Sequence, residues 1–393
     1  MNIAGKKKIV LLGMMTKMPV AGVVWQNVHY ILGFEKLGYE TYYVEDHART
    51  PTSFMTSETD DPTPKAAAYI ERTMRRYDLA DRWCFRALHE EKPRCFGMSD
   101  SQLLDLYKSA HLIINLHGGT IPREEHYATN RLVFLETDPV ELQIELYHDK
   151  PEALEFLKPH CAFFTFGENW GAKDCRLPVD KRFKFHPTRQ PVVMELWEPF
   201  RSNGDGQCFT TIGNWQQPFR QVHFRGETYH WSKHYEFLKI IDLPKKTKQP
   251  FELALSSYSE GDKRMLEQKG WRVRHALDIS TDEDPYRDYI CQSRGEFTVA
   301  KDQNVRLRSG WFSDRSATYL AAGRPVITQD TGFGNIFPTG NGLFEFNSMR
   351  DIVKAVDRIN ADYARHSKAA SEIARGYFNY DVVLPKILKE VAV

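Results

Sequence analysis

Short apolar runs recur along this chain, each ending in glycine or polar turn residues and followed by a stretch of helical spacing, and the recurrence starts twice. A short run that is apolar on both faces is a strand buried within a parallel sheet. The helix after it is the crossover that parallel strands require. Lys8 to Met15 is the first such run, followed by a loop over Thr16 to Gly22 that contains Pro19. In Val23 to Leu37, Val24, Val28, Ile31 and Leu32 fall on one helical face, and Gly38 stands where a C-cap glycine belongs. Thr41 to Val44 is the next strand, ending at Glu45-Asp46. A polar, Pro/Thr-rich loop over 48–66 and helical material over 66–110 follow. Strands then come at Leu112–Leu116, Arg131–Glu136 and Ala162–Phe166, ending in His117-Gly118-Gly119, Thr137-Asp138-Pro139 and Gly167-Glu168-Asn169.

From Phe185 to Gly206 the character changes: Pro187, Pro191, Pro199 and the turn-rich Ser202-Asn-Gly-Asp-Gly206 mark a connection, placed at 191–206. The alternation then restarts. Strands are expected at Phe209–Ile212, Phe251–Leu255, Trp271–His275, Arg294–Ala300 and Pro325–Gln329. Helices are expected at His234–Ile241, Asp262–Lys269, Tyr286–Gln292 and Asp314–Ala322. With 393 residues, too many for one ordinary core, the chain reads as two Rossmann-like α/β domains facing across a cleft, at 1–190 and 207–365. The tail over 366–393 is expected to be a helix crossing back onto the first domain. Ligands of such sheets sit at the carboxyl ends of the strands, so the turn residues named above are where to look.

Composition excludes several classes. With 53 basic and 52 acidic residues, the net charge of +1 drives no association with bulk nucleic acid or an anionic membrane, so a nucleic-acid partner is not expected. Six scattered cysteines without a CxxC fit reduced thiols and no zinc site, so no metal is expected. Lys6-Lys7-Lys8 before an apolar run suggests a signal peptide, but a buried first strand accounts for it better. No stretch approaches the roughly 18 apolar residues of a membrane span. The expected location is the cytoplasm. Asp282-Glu283-Asp284 precedes Pro285 and a helix, which makes it a cap rather than a metal motif. Gly332-Phe333-Gly334 lacks the third glycine of a dinucleotide fingerprint.

The most informative segment is 293–346. Ser313 or Asp314 is a good N-cap, and the free N–H groups and positive end of the helix to Ala322 suit a phosphate. Ser313, Arg315 and Ser316 cluster at that end. Gly323 stops the helix, Arg324-Pro325 leads into a short strand, and Asp330-Thr331-Gly332-Phe333-Gly334 forms a turn after it. This pattern resembles the donor-binding half of GT-B glycosyltransferases, especially the retaining family four. Leu320-Ala-Ala-Gly-Arg-Pro-Val326 matches that family's helix end, Ser293-Arg-Gly-Glu296-Phe its first acidic residue, and Asn341-Gly342-Leu343-Phe344 the Asn-Gly-Leu that follows. The likeness covers residues 205–365 well and the first half by architecture only. Where the family carries a second glutamate against ribose, this chain has Thr318. That leaves open the ribose contact, the base, and the choice of family four over another GT-B family.

The resemblance implies transfer of a sugar from a nucleoside diphosphate sugar, as donor substrate rather than cofactor, to an acceptor the sequence does not name, without a metal. It implies that Arg225 and Lys233, with Ser313, Arg315 and Ser316, hold the diphosphate. Glu296 touches the sugar hydroxyls, and Thr331, Gly332 and Phe333 line the sugar site. Gly22 lets a ligand approach the backbone. If the reaction inverts the anomeric carbon, His117 or Asp138 takes the acceptor proton. A sugar-nucleotide 2-epimerase and a non-catalytic scaffold of the same fold are the alternatives.

Overall fold

The computed structural model describes residues 6–200 and 206–392. Most of the turn-rich centre expected for the connection, 201–205, lies outside the described residues.

The first sheet contains β1 (Lys8–Leu12), β2 (Glu40–Glu45), β3 (Trp83–Arg86), β4 (Cys95–Phe96), β5 (Leu112–Leu116), β6 (Leu132–Glu136), β7 (Ala162–Thr165) and β8 (Phe185–Pro187). Its order is β4-β3-β2-β1-β5-β6-β7-β8, parallel except where β4 returns antiparallel on β3. Along β1, Ile9 and Leu11 enter one core and Val10 and Leu12 another, so both faces of the strand are buried. That double burial is why the sequence there is continuously apolar.

The second sheet contains β9 (Phe209–Asn214), β12 (Phe251–Ser256), β13 (Arg272–His275), β14 (Gly295–Thr298), β15 (Val326–Gln329) and β16 (Leu343–Phe346), in the order β13-β12-β9-β14-β15-β16. Between β9 and β12 a small hairpin, β10 (Val222–Phe224) and β11 (Glu227–Tyr229), stands apart from both sheets. In each sheet the winding direction reverses once, between β1 and β5 and between β9 and β14. The crevice at such a reversal is where doubly wound sheets bind ligands.

Sequence and structure part in a few places. The stretch 66–110 is not uniformly helical: helices Thr63–Arg76 and Asp100–Ser109 flank β3 and β4. These two strands are only four and two residues long, too short for a periodicity to register. The same brevity hid β8 and the hairpin. No helix among the described residues is long and apolar enough to cross a membrane.

The two units meet at three places. Near the chain crossings, Trp25 of the first long helix, Ala21–Lys36, donates its indole N–H to Glu283 O at 3.1 Å and packs on Trp197. The last helix, Tyr380–Glu390, lies along that first helix, with Leu384 and Tyr380 against Gly33. Val192 N donates to Phe378 O, and Tyr380 N to Val192 O, so the outgoing and returning segments pair with each other. A second joint is made by the loop after β7. Asn169 donates to Ser309 O and Arg308 O and accepts from Asn335, while Arg308 pairs with Asp174. The third joint spans the cleft between the sheet edges.

Gly310 is the tightest point of the second joint. Its φ is +81°, and a Cβ there would stand 2.2 Å from the Asn169 backbone nitrogen. Gly310→Ala is therefore expected to cost more than about 2 kcal/mol, from left-handed strain plus a clash with backbone that cannot yield. Its melting temperature should fall by several degrees; an unchanged melt would show that the two units do not depend on this contact.

Candidate functional site

The carboxyl edges of the two sheets face each other across a cleft of about 830 Å³. The second unit contributes Asp314 at the N-terminus of helix Asp314–Ala321, Lys301 and Trp311 after β14, and Arg220 before the hairpin; Trp231 and Lys233 do not line the cleft themselves but lie against Lys301 and Trp311. Ser313 is the N-cap residue, but its side chain makes no capping hydrogen bond; its hydroxyl turns toward Asp314. The first-turn N–H groups of that helix are therefore left without a side-chain cap. Beneath them Ser316 is fully buried, and its hydroxyl has no partner.

Arg315 does not reach freely into the cleft. Its guanidinium donates to Glu296 Oε1 at 2.6 Å, to Thr298 Oγ1 at 3.0 Å, and to the Ile212 carbonyl. Glu296, in β14, has no exposed surface and does not line the cleft. Instead of meeting a sugar it fixes Arg315, which joins the ends of β9 and β14. Thr318, where the family carries its second glutamate, is buried and donates to Arg315 O.

Lys233 is the cation left over. It forms no ion pair among the described residues, and burial, with Arg315 and Lys301 adding to it, holds its ammonium well below the usual lysine range. A half-buried lysine crowded by other cations is suited to take up an anion. Lys301, which the sequence reading did not single out, stands just past the end of β14. It spans the cleft to Asp138 at 2.7 Å and lies 3.0 Å from the centre of the Trp231 ring. Arg220 stacks on the same ring and pairs with Glu141, and Trp311 donates to Thr137 O at 3.0 Å. These contacts form the third joint.

On the first-unit side, His117 follows β5 with φ of +65°. Its Nδ1 lies 2.9 Å from Thr137 Oγ1, and its Nε2 has no partner. Burial lowers its pKa to about 4, so the ring is neutral at neutral pH. Burial pushes Asp138 upward, but Lys301 and Arg220 outweigh it and hold the carboxyl below its ordinary value. Glu136, the last residue of β6, was missed by the sequence reading although it closes a strand at the cleft. It accepts from Thr165 at 2.7 Å through Oε2, while Oε1 has no partner. Burial raises its pKa to about 8.

Four expected residues sit elsewhere. Arg225 occupies the exposed tip of the β10–β11 hairpin, over Phe224, and does not line the cleft. Thr331 is spent on Trp311 O, Gly332 packs on Asn169, and Phe333 is fully buried among Phe312 and Phe337. The glycine of that turn thus serves the second joint between the units, because only a residue without Cβ admits Asn169. Gly22 packs against Tyr286 of the second unit, beside Asp314 and Arg315. Asp282 caps its helix by accepting from Asp284 N, and Asp284 pairs with Arg76 of the first unit. Among the described residues no three metal-ligating side chains are grouped to hold an ion.

No protein-family model matches the sequence, and no curated protein matches it. Solved structures do. An α-glucosyltransferase in complex with UDP and a 13-mer DNA containing a HMU base superposes with a TM-score of 0.60 at 10% identity, over 99% of this chain and all of that one. Anabaena HepE, in complex with UDP and glucose, gives 0.53 at 11%, over 98% and 99%. Sucrose-phosphate synthase from Thermosynechococcus elongatus gives 0.52 at 12%, over 98% of each chain. This chain has the GT-B fold. The likeness therefore extends over both units and is not confined to the second, as the motifs alone implied; the first unit of a GT-B chain carries its resemblance in topology rather than in sequence.

Because Glu136 is neutral when folded and ionised when unfolded between about pH 4.5 and 8, it favours the folded state below that window and loses this contribution as pH rises through about 8. Glu136→Gln should raise the melting temperature at pH 8.5 relative to wild type and leave it nearly unchanged at pH 4. An equal shift at both pH values would mean that the carboxyl is not held neutral.

Proposed function

We propose that this chain transfers a sugar from a nucleoside diphosphate sugar to an acceptor, with the donor held by the second unit. The observation that carries the reading is Lys233: a half-buried lysine in no ion pair among the described residues, among the cations Arg315 and Lys301, near an uncapped helix N-terminus at the carboxyl edge of a Rossmann-like sheet. A diphosphate supplies the missing negative charge. As the sugar leaves, charge builds on that diphosphate, and fixed cations there stabilise the transition state more than the ground state. The neighbours of the same fold solved with UDP favour uridine as the base.

In this reading Lys301 and Lys233 supply the mobile cations, while Arg315, braced by Glu296, sets the potential. His117, neutral and with Nε2 unpaired, accepts a hydrogen bond from a hydroxyl at the reacting end. Asp138 is less suited to accept a proton while Lys301 holds it. Metal independence belongs to this proposal as well, with cations in the place a divalent ion takes elsewhere.

The test is a thermal-shift and calorimetric panel with UDP, GDP, dTDP, ADP and CMP. Lys233→Met is the better probe, because Arg315→Ala would leave buried Glu296 unpaired and destabilise the fold itself. One nucleotide should raise the melting temperature of the wild type, and Lys233→Met should weaken its binding about 10- to 100-fold. Since the free ammonium is depressed and the bound one is not, binding should take up a proton at pH values between the depressed and the restored lysine pKa, and weaken as pH rises. The measured enthalpy should then vary with buffer ionisation in wild type and not in the variant. If no nucleotide stabilises the protein, the donor-site reading fails.

A further inference from the structure

The first-unit half of the cleft differs in character from the donor half. Phe134 of β6 and Phe156 of helix Pro151–Leu157 meet edge to face at 5.2 Å, and Leu142 and Ala153 line the same wall. Gly118 is held against those two rings: a Cβ there would lie 2.9 Å from Phe134 and 3.0 Å from Phe156. On the other side, a Cβ on Gly119 would meet Met14 Sδ at 3.0 Å. The two successive glycines thus let the backbone lie directly against Met14 on one side and an aromatic corner on the other, all of them lining the cleft. Beside that corner Glu136, 4% exposed, presents a carboxyl with one oxygen unpartnered.

We propose that the acceptor taken up on this side of the cleft is an uncharged apolar alcohol whose ring or chain lies on Phe134, Phe156 and Leu142 and whose hydroxyl is met by Glu136. The inference rests on the transferase reading. Phe134, Phe156, Leu142 and Ala153 form an apolar corner among charged lining residues, with Glu136 and His117, each holding one unpartnered polar atom, beside it; such a corner selects a molecule that is apolar over part of its length and polar at one end. A carboxyl kept neutral by its surroundings both donates to and accepts from a hydroxyl, while a charged group on the Phe134–Phe156 corner would lose its water there without gaining a paired counter-ion. The acidic side chains nearby are already balanced: Asp138 by Lys301, Glu141 by Arg220, and Glu145 by Lys150. Lys17 and Arg49, on the opposite wall, are too few to neutralise a polyphosphate backbone, and Glu152 opposes one. This sets the chain apart from the neighbour solved with DNA, whose overall fold it shares.

The experiment uses one ring with three charges. Benzyl alcohol, benzylamine and benzoate are titrated into the full chain with and without UDP by saturation-transfer NMR, alongside a single-stranded 13-mer DNA. Benzyl alcohol should bind, with benzoate and benzylamine at least tenfold weaker and no displacement by the DNA. Gly119→Leu should abolish alcohol binding while UDP binding persists; its side chain meets Met14, so a lower melting temperature accompanies it and UDP binding is the control for folding. Alcohol binding should weaken as pH rises through about 8 in wild type, and Glu136→Gln should bind it without that dependence. Tighter binding of benzoate or DNA, no binding of the alcohol, or alcohol binding that survives Gly119→Leu would overturn the inference. UDP read in the same samples separates the two claims. Alcohol failing while UDP binds rejects only the acceptor class, whereas alcohol binding to a protein that none of the five nucleotides stabilises rejects the transferase reading.

Discussion

A buried ion pair organises the carboxyl edge of the second sheet. Arg315 comes from the first turn of a helix, Glu296 from β14, and the guanidinium also takes up the Ile212 carbonyl at the end of β9. Two strands and a helix are thus tied at one point, where the loops of a Rossmann-like unit would otherwise be held only by their own backbone. Removing either partner would leave a charge with no water to solvate it, which is why both halves of the pair are needed for the edge to keep its shape. Everything else on that side of the cleft is placed relative to this knot. The helix terminus rises above it, Lys233 is crowded by it, and the residues after β14 emerge beside it.

Much of the architecture was legible in the sequence because parallel strands buried on both faces must be apolar throughout. Leu112–Leu116 was read to the residue, and β1, β2, β6, β7, β9, β12 and β15 were found with ends shifted by a few residues. The strands that escaped are short ones at or next to sheet edges or in the hairpin, where two to four residues carry no period and the neighbouring strands, not the local pattern, decide the conformation. The first unit's likeness to GT-B chains was likewise invisible in motifs, since topology is preserved by burial pattern and not by particular side chains.

The candidate site was legible in part. A strand-end rule brought His117 and Asp138 to the cleft, and Lys233 emerged from its place before a helix. The same rule, applied to the last residue of a strand as well as to the loop after it, points to Glu136 and Lys301. Glu296 and Arg315 were named for contacts with ligand, yet the sequence holds no sign that they would satisfy each other; opposite charges nineteen residues apart meet only once β14 and the following helix are laid together. Thr331 to Phe333 show the converse. A glycine turn at a strand end looks the same whether a ligand or a neighbouring loop approaches it, and here Asn169 does.

The chain passes between its two units twice, once around Val192 and once around Phe378, and these two passages are hydrogen-bonded to each other. Mechanically, two crossings at a single place form a hinge. Relative motion of the units is then largely a rotation about that line, in which groups near it barely separate and groups far from it separate most. The contacts that ride on Trp25 and Trp197 belong near the axis. The bridges over the cleft, Lys301 to Asp138 and Trp311 to Thr137, are polar contacts, whereas Trp25 packs on Trp197 at the crossings, so rotation about that line would part the former before the latter.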